Sequence, residues 1–294
     1  MSAFPQLATR LFNTPLMILP GKAEIVMAAL SDRLGITSIG RINGQFVAME
    51  DADEEALYGT PSRGGRDRDC GYDIVAGVAI LAVQGTLVQR TGTLRPYSGM
   101  TGYDGIRQNL ITALSNDKID AIVLDVDSPG GEVAGCFDLV DTIYAMRGRK
   151  PIWAILGENA YSAAYAIASA ADRITVPRTG GTGSVGVIYM HVSFEDALKQ
   201  AGIEVTLITK GDLKGEGTDT KNLSPDAFKR MKTDVLSVGN LFDATVARNR
   251  GMNQSDVFDT QAGTFLGSQG VKVGFADAVM APDEAFRALL AELD

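Results

Sequence analysis

Residues Asp120–Val126 read DAIVLDV. Successive side chains of a strand point to opposite faces, so an apolar run of this kind is stable only where both faces are covered. That is the situation of a central strand in a parallel sheet. PIWAIL (151–156) and RITV (173–176) repeat the pattern. Helical spacing fills the gaps between these runs. Ile106, Leu110, Ile111 and Leu114 share one face before the first run, and Val133, Phe137, Val140 and Tyr144 follow it. Strand and helix alternating through short connections is the signature of βαβ units, so the chain is expected to be an α/β protein with a mostly parallel sheet flanked by helices.

The flanking segments extend this reading. Residues 74–87 form a strand–turn–strand or one long strand, and 87–103 a polar loop. SFEDALKQAG (193–202) is read as a helix and IEVTLITKG (203–211) as a strand. Ser224 followed by Pro225 makes a capped helix start. Phe228, Met231, Val235, Val238 and Phe242 then form one apolar stripe ending near Gly251. A short amphipathic helix, Asp283–Leu293, closes the chain, and near the other end Ile25, Val26, Ala29 and Leu30 mark a helix stopping at Gly35. Gly44 to Gly71 is polar, with an acidic cluster (Glu50, Asp51, Asp53, Glu54, Glu55) and a basic one (Arg63, Arg66, Arg68). We read it as a linker, giving an N-terminal arm over 1–70 and a main domain over 71–294.

Charge and composition exclude several functions. A formal charge of −9 over 294 residues argues against nucleic acid, which needs a Lys/Arg excess. Two cysteines, Cys70 and Cys136, and one histidine, His191, make neither a disulfide framework nor a zinc site. Both cysteines are read as reduced thiols, Cys136 in the core, and no metal or cofactor is expected. PLMILP (15–20) is too short for a signal-peptide core, and no segment approaches the ~18 apolar residues of a membrane span. The expectation is a soluble protein that stays in the compartment where it is made.

Sites in open α/β sheets form at the carboxyl ends of strands. Three loops qualify. DSPGGE (127–132) offers two glycines, read as opening a helix, whose amides could stabilise an oxyanion or merely make a turn. GENAYSAAY (157–165) places Ser162 at a helix start, as a nucleophile or simply an N-cap, with Ala163 and Ala164 leaving room for a substrate. RTGGTGSVGV (178–187) lacks the Gly-Lys-Ser/Thr ending of a P-loop and runs into a β-branched segment, so a nucleotide cradle is rejected. A serine nucleophile needs a base. His191 lies in VIYMHVSF, a strand, and is read as structural. The remaining base is a lysine, which works only as the neutral amine. Lys214 in TKGDLKGEG is the candidate and Lys210 its competitor.

DVDSPGGEV, YSAAYAIASAADRI, TGSVGVI and GDLK, in that order, resemble the signal peptide peptidase (SppA-like) family of Ser-Lys serine proteases on the ClpP/crotonase-like fold. FNTPLMILP, GTLVQRTGTLRPYSGMTGYDGI, SPGGEVAGCFD and GTGSVGV further resemble its branch of capsid assembly, or head maturation, proteases of tailed phages. The resemblance implies Ser162 as nucleophile, Lys214 as general base and Ser184 as the hydroxyl orienting the lysine amine. It also implies an oxyanion hole of the Gly131 and Ala163 amides, with Gly130 shaping the approach. Two departures stand out: Ala163 and Ala164 replace the usual Gly-Gly after the serine, and GDLKGEG lacks the serine and histidine often found before the lysine. The implied substrates are scaffold, capsid or portal proteins, or the chain itself, in the host cytoplasm inside an assembling procapsid. The chain's stop at Asp294 implies a separate scaffold protein or a core-only relative. Homo-oligomerisation is also implied, with the 224–250 helix packing either between subunits or on its own sheet. Three alternatives accompany this reading: a cellular-type signal peptide or protein-degrading peptidase, a crotonase-like acyl-CoA enzyme, and a non-catalytic shell component.

Overall fold

The computed structural model describes residues 12–34, 39–40, 46–47 and 70–293. The charge clusters of the 44–71 linker lie outside the described residues. Among the described residues, eleven strands form one sheet. In chain order they are β1 (Pro15–Ile18), β4 (Asp73–Val75), β5 (Val78–Val88), β6 (Met100–Gly102), β7 (Ala121–Glu132), β8 (Ile152–Tyr161), β9 (Arg173–Val176), β10 (Gly181–Gly183), β11 (Ile188–Tyr189), β12 (Thr264–Leu266) and β13 (Ala278–Val279). A separate pair, β2 (Ile39–Gly40) and β3 (Phe46–Val47), stands apart from it. The helices are α1 (Pro20–Leu34), α2 (Tyr103–Leu114), α3 (Cys136–Ala145), α4 (Ala163–Ser169), α5 (Glu195–Gln200), α6 (Pro225–Arg250), α7 (Gln254–Phe258), α8 (Ser268–Lys272) and α9 (Pro282–Leu293). The central pairings β5–β7, β7–β8, β8–β9 and β8–β10 are parallel, as the alternation of elements predicts.

The doubly covered strands are visible in the packing. Ile122, Leu124 and Val126 of β7, and Ile152, Ala154 and Leu156 of β8, enter the main core with α2, α3 and α4. The residues between them, Ala121, Val123, Trp153 and Ile155, face the other way onto Ala285 and Leu289 of α9. Every residue of α4 is buried. Arg147 fastens its far end by donating to the carbonyls of Ser169, Ala170 and Ala171, and to that of Asn249 on α6. These carbonyls have no intrahelical partner of their own, so the guanidinium fork takes the place of solvent.

Several local expectations hold. Residues 74–87 are strand–turn–strand. Ser224 Oγ accepts from the Ala227 amide at 3.1 Å, with Pro225 in the first turn and Gly251 left-handed at the C-cap (φ 63°). Cys136 is buried, its thiol pushed up to about 12 by desolvation, and both cysteines are free. Three expectations are corrected. Residues 203–211 are not a strand but an exposed irregular segment, with Ile208 91% exposed. A β-branched pattern needs a neighbouring strand to bond, and among the described residues none reaches this segment. His191 lies just beyond β11, not within a strand. DSPGGE does not open a helix: β7 runs on through Glu132, because β5 and β1 bond its two edges, and α3 begins only at Cys136. No helix among the described residues is long and apolar enough to cross a membrane.

Candidate active site

Three strand ends converge. The β8–β10 register pairs Tyr161 with Gly183, so the next residues, Ser162 and Ser184, leave the sheet side by side. The Ser162 amide donates to the Gly183 carbonyl at 2.8 Å, and the Ser184 amide to the Gly263 carbonyl at 2.8 Å. Both serines have positive φ, 57° and 54°, a backbone region L-residues seldom enter. Ser162 combines φ 57° with ψ −119° at the N-cap position of α4, yet its hydroxyl makes no capping hydrogen bond. N-capping therefore does not explain this serine. The side chain is buried, 1% exposed.

The end of β7 lies against it. A Cβ on Gly130 (φ 103°) would stand 3.0 Å from Ser162 Cβ, 3.0 Å from the Tyr161 carbonyl oxygen and 2.2 Å from the Met17 carbonyl oxygen. Only glycine fits this contact, both in space and in backbone conformation. The Gly130 amide is occupied, donating to Ser128 Oγ at 3.1 Å, while that hydroxyl donates to the Gly85 carbonyl at 2.7 Å. The Gly130 amide is therefore not a free donor. Ser128 braces β7 where its pairing with β8 is irregular. Sequence reading passed over Ser128, although a hydroxyl before Pro-Gly-Gly is the kind of residue that braces such a loop. Gly131 is also sterically required: a Cβ there would meet the Leu87 carbonyl oxygen at 1.8 Å.

Ala163 is the first residue of α4, and neither it nor Ala164 has positive φ. The backbone strain sits on Ser162 itself, so alanine serves where glycine is usual. The expectation that Ala163 and Ala164 leave room for a substrate is corrected. Both are wholly buried, and their small side chains let α4 lie close against the sheet.

The lysines are placed differently. Lys214 lies on an exposed turn, its amide donating to the Gly211 carbonyl, and its side chain makes no hydrogen bond or ion pair among the described residues. Lys210 is exposed on the same segment. Ser162, Ser184, Gly130, Gly131 and Ala163 are thus brought together, and Lys214 is not joined to them. His191 pairs through Nδ1 with Asn13 Oδ1 at 3.0 Å, while its Nε2 is buried without a partner among the described residues. Among the described residues, no group of three or more His, Cys, Asp or Glu side chains could hold a metal.

Comparison with known proteins agrees with this architecture. Peptidase family S49 matches over residues 145–294, and the Clp protease family over 93–179. Capsid assembly protease C of Escherichia phage lambda is 36% identical over 291 residues, covering 99% of this chain and 66% of the relative. Head-tail preconnector protein GP5 of Enterobacteria phage P21 is 36% identical over 283 residues, covering 96% and 56%. Protease 4 of Haemophilus influenzae is 26% identical over 220 residues, covering 73% and 34%. The chain thus spans less than two thirds of the length of each of these relatives.

Proposed function

The chain belongs to peptidase family S49, and on that premise we propose that it is a serine endopeptidase whose nucleophile is the Ser162 hydroxyl. The observation that carries this reading is the conformation of Ser162. A non-glycine residue held at φ 57° and ψ −119°, with a hydroxyl that caps nothing, sits beside Gly130 and Ser184 at the end of three strands. Strain of this kind persists only where the surrounding structure imposes it, and it gathers at sites of function.

In this mechanism Ser162 Oγ attacks a peptide carbonyl. A neutral Lys214 amine, oriented by Ser184, takes the proton and returns it to the leaving amine. The Gly131 and Ala163 amides hold the tetrahedral oxyanion, each donor contributing about 3 kcal/mol by comparison with measured oxyanion holes. Water then hydrolyses the acyl-enzyme ester. Lys214 lies on an exposed turn and is not joined to Ser162. The proposal therefore requires the 203–223 segment to fold over Ser162 when substrate or a second copy of the chain is present. Phe242 of the α6 stripe is buried, but Phe228 at its other end is 58% exposed, and off the stripe Leu236 and Leu241 are 55% and 50% exposed, which supports self-association through this helix.

The names of the phage relatives suggest the substrates: proteins of an assembling phage head, cleaved in the host cytoplasm. Within this reading residues 71–294 form the protease domain and 1–70 an arm, of which β1 is already bonded into the sheet. The test is co-expression with neighbouring capsid proteins, comparing wild type with Ser162→Ala by mass spectrometry. Cleaved products should appear only with wild type; equal cleavage by the alanine variant would refute the nucleophile assignment. Lys214→Ala should also be inactive. Retained activity there, with Lys210→Ala inactive, would transfer the base to Lys210.

A further inference from the structure

β1 is far in sequence from the strands it joins. It lies antiparallel between the end of β7 (Leu16↔Glu132, Met17↔Gly131, Ile18↔Gly130) and β11 (Pro15↔Tyr189, Leu16↔Ile188). The β7–β8 pairing extends only to Ser128↔Ala160, so beyond that point the edge of β7 beside Ser162 is open, and β1 fills it. An extended peptide added to a sheet edge, bonded along its backbone and anchored by alternate side chains, is the binding mode of a protease substrate.

The register shows which carbonyl is presented. Antiparallel pairs alternate between hydrogen-bonded and non-bonded. The Leu19 amide donates to the Pro129 carbonyl at 2.9 Å, which makes 19/129 a bonded position and, two residues back, 17/131 another. The Gly131 amide, the proposed oxyanion donor, therefore faces the Met17 carbonyl. That same carbonyl and Ser162 Cβ approach one point, the missing Cβ of Gly130, at 2.2 and 3.0 Å. The Met17 side chain is fully buried in the main core, as an apolar anchor in a specificity pocket would be. Leu16 and Ile18 point the other way, onto Ala23, Val26 and Ile188. Upstream, the Asn13 amide bonds the Met190 carbonyl, and its side chain bonds His191.

We propose that Pro15–Ile18 occupies the substrate cleft of its own chain and that Met17–Ile18 is a self-cleavage site. The proposal rests on the reading of Ser162 as nucleophile and adds the bond that is cut and the apolar, methionine-sized residue preferred before it. Ser162 Oγ bonds to the Met17 carbonyl carbon, and the Met17–Ile18 C–N bond breaks. The serine proton ends on the Ile18 nitrogen. Water then cleaves the ester, releasing residues 1–17 with a Met17 carboxylate and restoring the hydroxyl.

The test incubates the full chain and follows intact mass and N-terminal sequence, with casein hydrolysis measured on the same samples. Wild type should lose residues 1–17 and begin at Ile18, and Ser162→Ala should remain whole. Absence of an Ile18 terminus in wild type, or cleavage elsewhere in the arm instead, overturns the assignment. In either case, casein hydrolysis that Ser162→Ala abolishes leaves the serine-peptidase reading standing, whereas hydrolysis persisting in Ser162→Ala removes that reading as well. Met17→Asp, checked for folding by circular dichroism, should slow the cut at this bond about tenfold or more, because a carboxylate cannot fill an apolar pocket, while casein hydrolysis is kept or increased. Cutting of Met17→Asp at the wild-type rate would equally overturn the proposal.

Discussion

Replacing Ser162 by alanine and, separately, by glycine divides two effects that coincide at this residue. Both variants lack the hydroxyl. That hydroxyl makes no capping bond, so its removal alone should change stability little. Alanine keeps a Cβ at φ 57° and ψ −119°, and glycine relieves it. A non-glycine residue held in so sparsely populated a region costs about 1–3 kcal/mol. Against this, glycine gains freedom in the unfolded chain, which costs the folded state about 0.5–1 kcal/mol. The difference favours glycine by about 1 kcal/mol, or roughly 2 °C in the melting midpoint of a chain this size. Calorimetry of the two variants side by side, with urea midpoints as a second measure, reads this directly, and peptide hydrolysis should be absent from both. If Ser162→Gly proves equal to or less stable than Ser162→Ala, the backbone there is not strained, and the conformational case for Ser162 as a functional residue falls.

Three other perturbations have defined outcomes. Gly131→Ala pushes a Cβ to 1.8 Å from the Leu87 carbonyl oxygen, so β5 and β7 must part; we expect a loss of about 2 kcal/mol or more in thermal unfolding, together with loss of hydrolysis. Arg147→Met leaves the carbonyls of Ser169, Ala170, Ala171 and Asn249 without their donor and should cost about 2–4 kcal/mol by urea denaturation, Arg147→Lys recovering only part because it lacks the planar fork. Asp243 on α6 is buried, and desolvation pushes its carboxyl up to about 6. A folded pKa above the unfolded one means that the folded chain binds the proton more tightly, so stability is greatest below about pH 4 and declines as pH rises through 6. Asp243→Asn should remove that decline and stabilise the protein by about 1–2 kcal/mol at pH 7, an unchanged pH profile counting against it.

The strand–helix alternation was legible because it depends on local periodicity. DAIVLDV declares a strand covered on both faces before any partner is known, and the packing of Ile122 and Leu124 on one side and Val123 on the other bears this out. The capped start at Ser224 and the left-handed stop at Gly251 depend on neighbours within one helical turn, and they too were readable. Residues 203–211 have a strand's composition but, among the described residues, no strand beside them, and composition cannot report a missing partner. DSPGGE became strand because β1, more than a hundred residues earlier in the chain, bonds its edge.

The same division runs through the site. The sequence alone determined which residue types could act: one serine in a bed of alanines, two glycines after a buried strand, and no imidazole free of a structural place. Motif order assigned them roles. Tertiary structure decided what those residues do to one another. Parallel pairing of β8 with β10 sets Ser162 beside Ser184. Ser162, its amide bonded to the Gly183 carbonyl, is held in a backbone region that its own preferences oppose. The antiparallel register of β1 sets the Met17 carbonyl before the Gly131 amide. Periodicity is written into each segment by its own side chains, whereas register and strain arise only when segments distant in sequence bond to one another.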